Sequence, residues 1–119
     1  MPRRPVALVV EDEFLIAMDL ELLLERQGWR VLGPAASVVE ALRLLEQGEA
    51  PDAALLDVNL RGELVTPVAE ALRARGVPFV LASAYDPSDM AEALAGAVNV
   101  GKPTDERRLL AALARAVAP

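Results

Sequence analysis

The chain has 119 residues, 54% of them apolar but only 3% aromatic, so it holds one domain with a core of Leu, Val and Ala rather than rings. It contains no cysteine and no histidine, which excludes disulfides, thiolate or imidazole zinc sites and any triad built on an imidazole base. Eighteen acidic residues against 12 basic ones give a net charge of −6, a balance that repels nucleic-acid phosphates and anionic lipid, so direct binding to either is not expected.

The N-terminal run Met1–Val10 has the look of a signal peptide, but its apolar stretch is too short and Glu11-Asp12-Glu13 cuts it off. No stretch approaches membrane-spanning length, and the expectation is a soluble cytoplasmic protein. Pro5–Val10 reads as a first strand, followed by a helix over Glu13–Gln27 that stops at Gly28. A second strand, Arg30–Ala35, leads to a helix capped by Ser37 and stopped by Gly48. The strand Asp52–Asp57 precedes a helix over Leu64–Arg75 with Pro67 in its first turn and Gly76 at its end. Pro78–Ser83 is a fourth strand, then a helix with Asp86 as N-cap, Pro87 at its first position and Gly96 past its end. Ala97–Val100 is the last strand, and a helix capped by Thr104, with Asp105 and Glu106 in its first turn, runs to Val117. The glycines past the helix ends suit left-handed C-caps. Five short, unbroken apolar strands alternating with five helices predict an α/β sandwich around a parallel, doubly wound sheet, in one domain over residues 1–119.

In such a sheet, ligands sit beyond the carboxyl ends of the strands, where the winding reverses. The first strand ends in Glu11-Asp12, the third in Asp57, the fourth in Ser83, and the fifth is followed by Lys102-Pro103, whereas Arg30–Ala35 ends in nothing chemical. Each group has a structural alternative. The acids serve as helix caps, Asp57 as a turn cap, Ser83 as a small strand-end residue, and Lys102 as a solvated lysine. Their joint occurrence at the ends of alternating strands favours one crevice. Carboxylates packed together there repel, and a hard divalent cation such as Mg2+ relieves the repulsion while keeping sites open for water and phosphate oxygens. An aspartate oxygen can attack phosphorus to form an acyl phosphate, with the cation and the lysine neutralising the transferring group.

Val9-Val10-Glu11-Asp12-Glu13, Leu55-Leu56-Asp57-Val58-Asn59, Ser83 and Gly101-Lys102-Pro103 together resemble the receiver domains of two-component response regulators, along essentially the whole chain. The resemblance implies a flavodoxin-like, five-stranded sheet of order 2-1-3-4-5. It implies Asp57 as phosphoacceptor, and Mg2+ held by Asp12, Asp57, Glu11 (partly through water) and the Asn59 backbone carbonyl. Ser83 is then the switch hydroxyl and Lys102 the phosphate-binding lysine. The donor is a phosphohistidine on a sensor histidine kinase or histidine phosphotransfer protein, which suits a chain that has no histidine of its own. Pro78–Tyr85 and Asp57–Glu63 are similar to the subgroup named for its Phe-Ala-Thr-Gly-Tyr-like motif, with Ser83 in place of threonine and Ala84 in place of glycine. Asn99 stands where many receivers carry a switching aromatic, with Tyr85 as a substitute, and Thr104 where many have another aromatic.

A stand-alone receiver acts on a downstream protein target by contact, not as an enzyme. The first helix is apolar around much of its circumference. Ile16, Leu20, Leu23 and Leu24 face the sheet, and Phe14, Leu15, Met18 and Leu22 are read as the flank of a wide core-facing stripe. The alternative is an exposed patch for a kinase helix bundle or a homodimer. Three other readings stand beside the adaptor. One is a magnesium-dependent phosphatase with an aspartyl nucleophile, against which Asn59 stands where such enzymes carry a second aspartate. Another is a receiver that signals by contact alone, and the third is a receiver excised from a larger regulator or hybrid kinase.

Overall fold

The computed structural model describes residues 3–83, 94, 96–102 and 104–118. In chain order its elements are β1 (Val6–Val10), α1 (Phe14–Arg26), β2 (Arg30–Ala35), α2 (Val38–Gln47), β3 (Ala53–Asp57), β4 (Asn59–Leu60), β5 (Glu63–Leu64), α3 (Thr66–Ala74), β6 (Phe79–Ala82), β7 (Val98–Asn99) and α4 (Glu106–Ala116). Five strands form one sheet of order β2-β1-β3-β6-β7, and every pairing in it is parallel. This is the expected doubly wound order. The helix expected from Asp86 to Gly96 falls largely outside the described residues.

Side chains alternate across a strand, so a parallel sheet needs apolar groups on both faces. Leu8, Val10, Ala54, Leu56, Phe79 and Leu81 pack on one face against α2 and α3. Ala7, Val9, Ala53, Leu55, Val80 and Ala82 pack on the other against α1 and α4. β2 is more open than its apolar sequence suggested, because it lies at the sheet edge. Its register against β1 slips between Leu8 and Val10, where Gly33-Pro34 adds a residue, and proline's missing N–H is tolerated on an edge strand. The slip leaves the Ala35 carbonyl to accept from the Glu11 N–H at 2.9 Å, tying β2 to the start of the site.

Several local expectations are corrected. The antiparallel hairpin β4–β5 was not foreseen, and it takes up Leu64, so α3 begins at Thr66 rather than at Leu64. Ser37 does cap α2, its Oγ accepting from Glu40 N at 3.2 Å. The cap of α4 is Asp105, whose Oδ1 accepts from the N–H groups of Arg107 and Arg108, while Thr104 Oγ1 donates to the Gly101 carbonyl. Gly48 is not a left-handed cap: its φ is −97°, and a Cβ there would lie 2.9 Å from the Leu44 carbonyl oxygen, so close approach requires the glycine. The core-facing reading of the whole α1 stripe also fails. Ala17, Leu20, Leu23 and Leu24 are buried, but Phe14 and Leu15 are 73% and 74% exposed, and Met18 and Leu22 are exposed too. A flat sheet covers only one side of a helix, and these four lie beyond it.

Candidate functional site

Strand register places the two central acids side by side. Val9 pairs with Leu55 and Val10 with Leu56, so the next step brings Glu11 beside Asp57. Both have the parity of Val9 and Leu55, whose side chains point to the α1 and α4 face. The turn between β7 and α4 delivers Lys102 to the same place. Its Nζ lies 3.0 Å from Asp57 Oδ2 and 3.1 Å from Glu11 Oε1, bridging two acids that are 7% and 3% exposed. Asp12 stands beside them, with carboxylate oxygens of Glu11, Asp12 and Asp57 all within 4.8 Å of one another. Ser83 is buried one residue beyond Ala82, the register partner of Asp57. The structure thus brings Glu11, Asp57 and Lys102 into contact at the carboxyl edge, sets Asp12 close by, and places Ser83 at the end of the neighbouring strand. Asn59 enters through its backbone N–H, 3.4 Å from Asp57 Oδ1, while its side-chain oxygen accepts from Gly62 N.

Burial is the largest influence on both central acids and raises their pKa values. At Asp57 the Lys102 ammonium opposes that rise without cancelling it. At Glu11 the Glu13 N–H, which donates to Oε2 at 3.1 Å, and Lys102 oppose it, whereas the Asp57 charge adds to it. Burial alone would pull Lys102 down, but its bonds to Asp57 and Glu11 outweigh burial and hold its pKa above the usual lysine value.

Two contributors had no strong sequence signal. Arg61 lies at the tip of the β4–β5 hairpin with φ of +55°, and its Nε reaches Asp12 Oδ2 at 3.3 Å. The adjacent Gly62 is the one hint that a tight turn would aim the preceding side chain back at the site. Asn99 stood out as a departure from an aromatic; its bond from Gly101 N is local, but its bond from Ser83 N depends on the β6–β7 register and is invisible in sequence. Ala84, Tyr85 and Pro103 lie outside the described residues.

Three carboxylates face only two cations, Lys102 and Arg61, so the described pocket keeps an excess of negative charge. All its anionic donors are oxygens, the set preferred by a hard divalent cation and not by zinc or copper. The residues present therefore fit magnesium.

A parallel sheet ordered in this way, with an acid triad and a lysine at its carboxyl edge, defines a receiver. Residues 7–114 match the response regulator receiver domain, and the chain belongs to that family. It is similar to the transcriptional regulatory protein PdtaR of Mycobacterium tuberculosis, 34% identical over 93 residues that cover 77% of this chain and 44% of PdtaR. It is also similar to the phyllosphere-induced regulator PhyR of Methylorubrum extorquens, 36% identical over 80 residues, 66% of this chain and 30% of PhyR. The chain spans less than half the length of these curated relatives. Among solved structures, SdrG from Sphingomonas melonis Fr1 superposes with a TM-score of 0.82 at 41% identity, covering 99% of this chain and 100% of that one.

Proposed function

We propose that this receiver, taken as one domain over residues 1–119, accepts a phosphoryl group on Asp57 from a partner's phosphohistidine and signals by protein contact. The observation that carries the reading is the Asp57 carboxylate, buried beside Glu11 and held 3.0 Å from Lys102. In the transfer, an Asp57 oxygen forms the new O–P bond as the N–P bond of the phosphohistidine breaks. The electron pair leaves with the imidazole nitrogen, which takes its proton from solvent. Lys102 offers positive charge to the phosphoryl oxygens, and Ser83 supplies a hydroxyl to one of them after transfer. Glu11, Asp12, Asp57 and the Asn59 carbonyl would hold Mg2+, which when bound neutralises charge on the transferring group.

The histidine must come from another chain, a sensor kinase or phosphotransfer protein, because this one has none. Phe14, Leu15, Met18 and Leu22, exposed on α1 just past Asp12, offer such a partner an apolar docking face. A second copy of the chain and a downstream target are the other partners in this reading. In this reading the chain works in the cytoplasm. Among the described residues no helix is long and apolar enough to cross a membrane. Membership of the receiver family favours a signalling role over an enzyme. The phosphatase alternative lacks its acid, since Asn59 stands two residues past Asp57.

Incubation with radiolabelled acetyl phosphate tests the chemistry. A magnesium-dependent, base-labile label is expected on the wild type and a loss of about 100-fold or more in Asp57→Asn; an unlabelled wild type would remove the reading. Replacing Met18 and Leu22 together by Ser is expected to slow transfer from a phosphorylated kinase about tenfold. Labelling by acetyl phosphate and the melting temperature should stay unchanged, and a collapsed fold would return those side chains to the core.

A further inference from the structure

The β6–β7 ladder is short. Val80 pairs with Val98 and Leu81 with Asn99, and the last backbone bond runs from Val100 N to Leu81 O at 2.8 Å. Beyond it, the next group needing a partner is the peptide of Ser83. Asn99 provides that partner from its side chain, its Oδ1 accepting from Ser83 N at 3.1 Å and its Nδ2 donating to Ser83 O at 3.3 Å. A carboxamide carries the same donor and acceptor as a peptide group, so the side chain stands in for one more residue of strand. The same Oδ1 also accepts from Gly101 N at 2.9 Å, one residue before Lys102. The far side is braced as well, since Arg108 of α4 donates to the Asn99 carbonyl at 3.5 Å and Thr104 Oγ1 to the Gly101 carbonyl at 3.2 Å.

We propose that Asn99 is a positioning residue for phosphoryl transfer: its carboxamide clamps the backbone of Ser83 to the turn carrying Lys102, fixing the hydroxyl and the ammonium relative to each other. Ser83 lies one residue past β6 and Lys102 in the loop after β7, and the nearest backbone bond between the two segments is the one from Val100 N to Leu81 O. The amide is thus a joint between the two segments whose side chains face the phosphoryl oxygens. Transfer depends on holding charge-stabilising groups within a few tenths of an ångström, so loosening this one joint slows the reaction without removing a reacting group. A phenylalanine at this position would offer neither the acceptor nor the donor. The amide therefore also carries any displacement of Ser83 to Gly101 and, through Arg108, to α4.

The inference rests on the phosphoacceptor reading, and two measurements on the full chain separate them. In Asn99→Ala, amide hydrogen exchange at Ser83 and Gly101 is expected to quicken about tenfold, while the Val100 amide, bonded to Leu81, keeps its protection. In the same variant the maximal rate of labelling by acetyl phosphate is expected to fall about fivefold with the half-saturating concentration unchanged, because donor binding is untouched. Asn99→Asp keeps the accepting oxygen, and protection at Ser83 and Gly101 should return with it. Wild-type exchange or wild-type labelling rate in Asn99→Ala overturns the proposal, as does protection that stays lost in Asn99→Asp while its melting temperature is normal. A wild type that takes no label removes the phosphoacceptor reading instead, and the exchange data still decide whether the clamp exists.

Discussion

β1 and β3 run side by side, and each end of the pair carries a cluster of charge with opposite properties. At the amino end, Asp52 takes two bonds from the Arg3 guanidinium at 3.1 and 2.8 Å and a third from Val6 N at 2.7 Å. Burial alone would raise its pKa, but the bonds from Arg3 and Val6 outweigh burial and hold it below the usual aspartate value. At the carboxyl end, Glu11 and Asp57 are more deeply buried, share one ammonium, and have pKa values raised chiefly by that burial. One acid with a bidentate partner makes a clasp; two acids with one partner make a pocket still short of positive charge. An acid–base pair at a strand end is therefore not a functional signal by itself. The ratio of acids to cations and the depth of burial separate the two.

The contrast is broken most severely by removing the shared cation. Lys102→Met leaves Glu11 and Asp57 facing one another, and a loss of about 2–3 kcal/mol is expected in metal-free buffer, read by thermal melting, together with loss of acetyl phosphate labelling. At the other end, Asp52→Ala removes an exposed ion pair, so it should lower the melting temperature less than Lys102→Met does and leave the labelling rate within about twofold of the wild type. If labelling falls with it, the two ends are coupled through the strands and the separation fails.

The finest test is the sign of the pH dependence in metal-free buffer. A raised carboxyl pKa means that the native state binds more protons than the unfolded chain. The contribution of Glu11 and Asp57 is therefore fully present below the ordinary carboxylate value of about 4 and is lost as pH rises through their raised values. Asp52 runs the other way: its contribution is present above the ordinary value and is lost as pH falls through the depressed one. Urea melts from acid to neutral pH should show Asp57→Asn flattening the decline above the ordinary value and Asp52→Asn flattening the decline below it. The same slope change from both variants would refute the assignment. The raised pKa of Lys102 adds stability that persists past the usual lysine range and is lost only at more alkaline pH.

Periodicity and punctuation alone carried the alternation of strands and helices, and with it the rule that chemistry gathers at the carboxyl edge. Glu11, Asp12, Asp57, Ser83 and Lys102 were legible because each follows a short apolar run, and a strand that is apolar on both faces can only end where such a run ends. Tertiary structure decided what depends on neighbours distant in sequence. The sheet covers only one side of α1 and leaves Phe14 and Leu15 exposed, the hairpin turns Arg61 onto Asp12, and the β6–β7 register sets the Asn99 amide against Ser83. Local pattern specifies which residues leave water together, but a single hydrogen bond across strands requires a register, and register is set only when the whole sheet assembles.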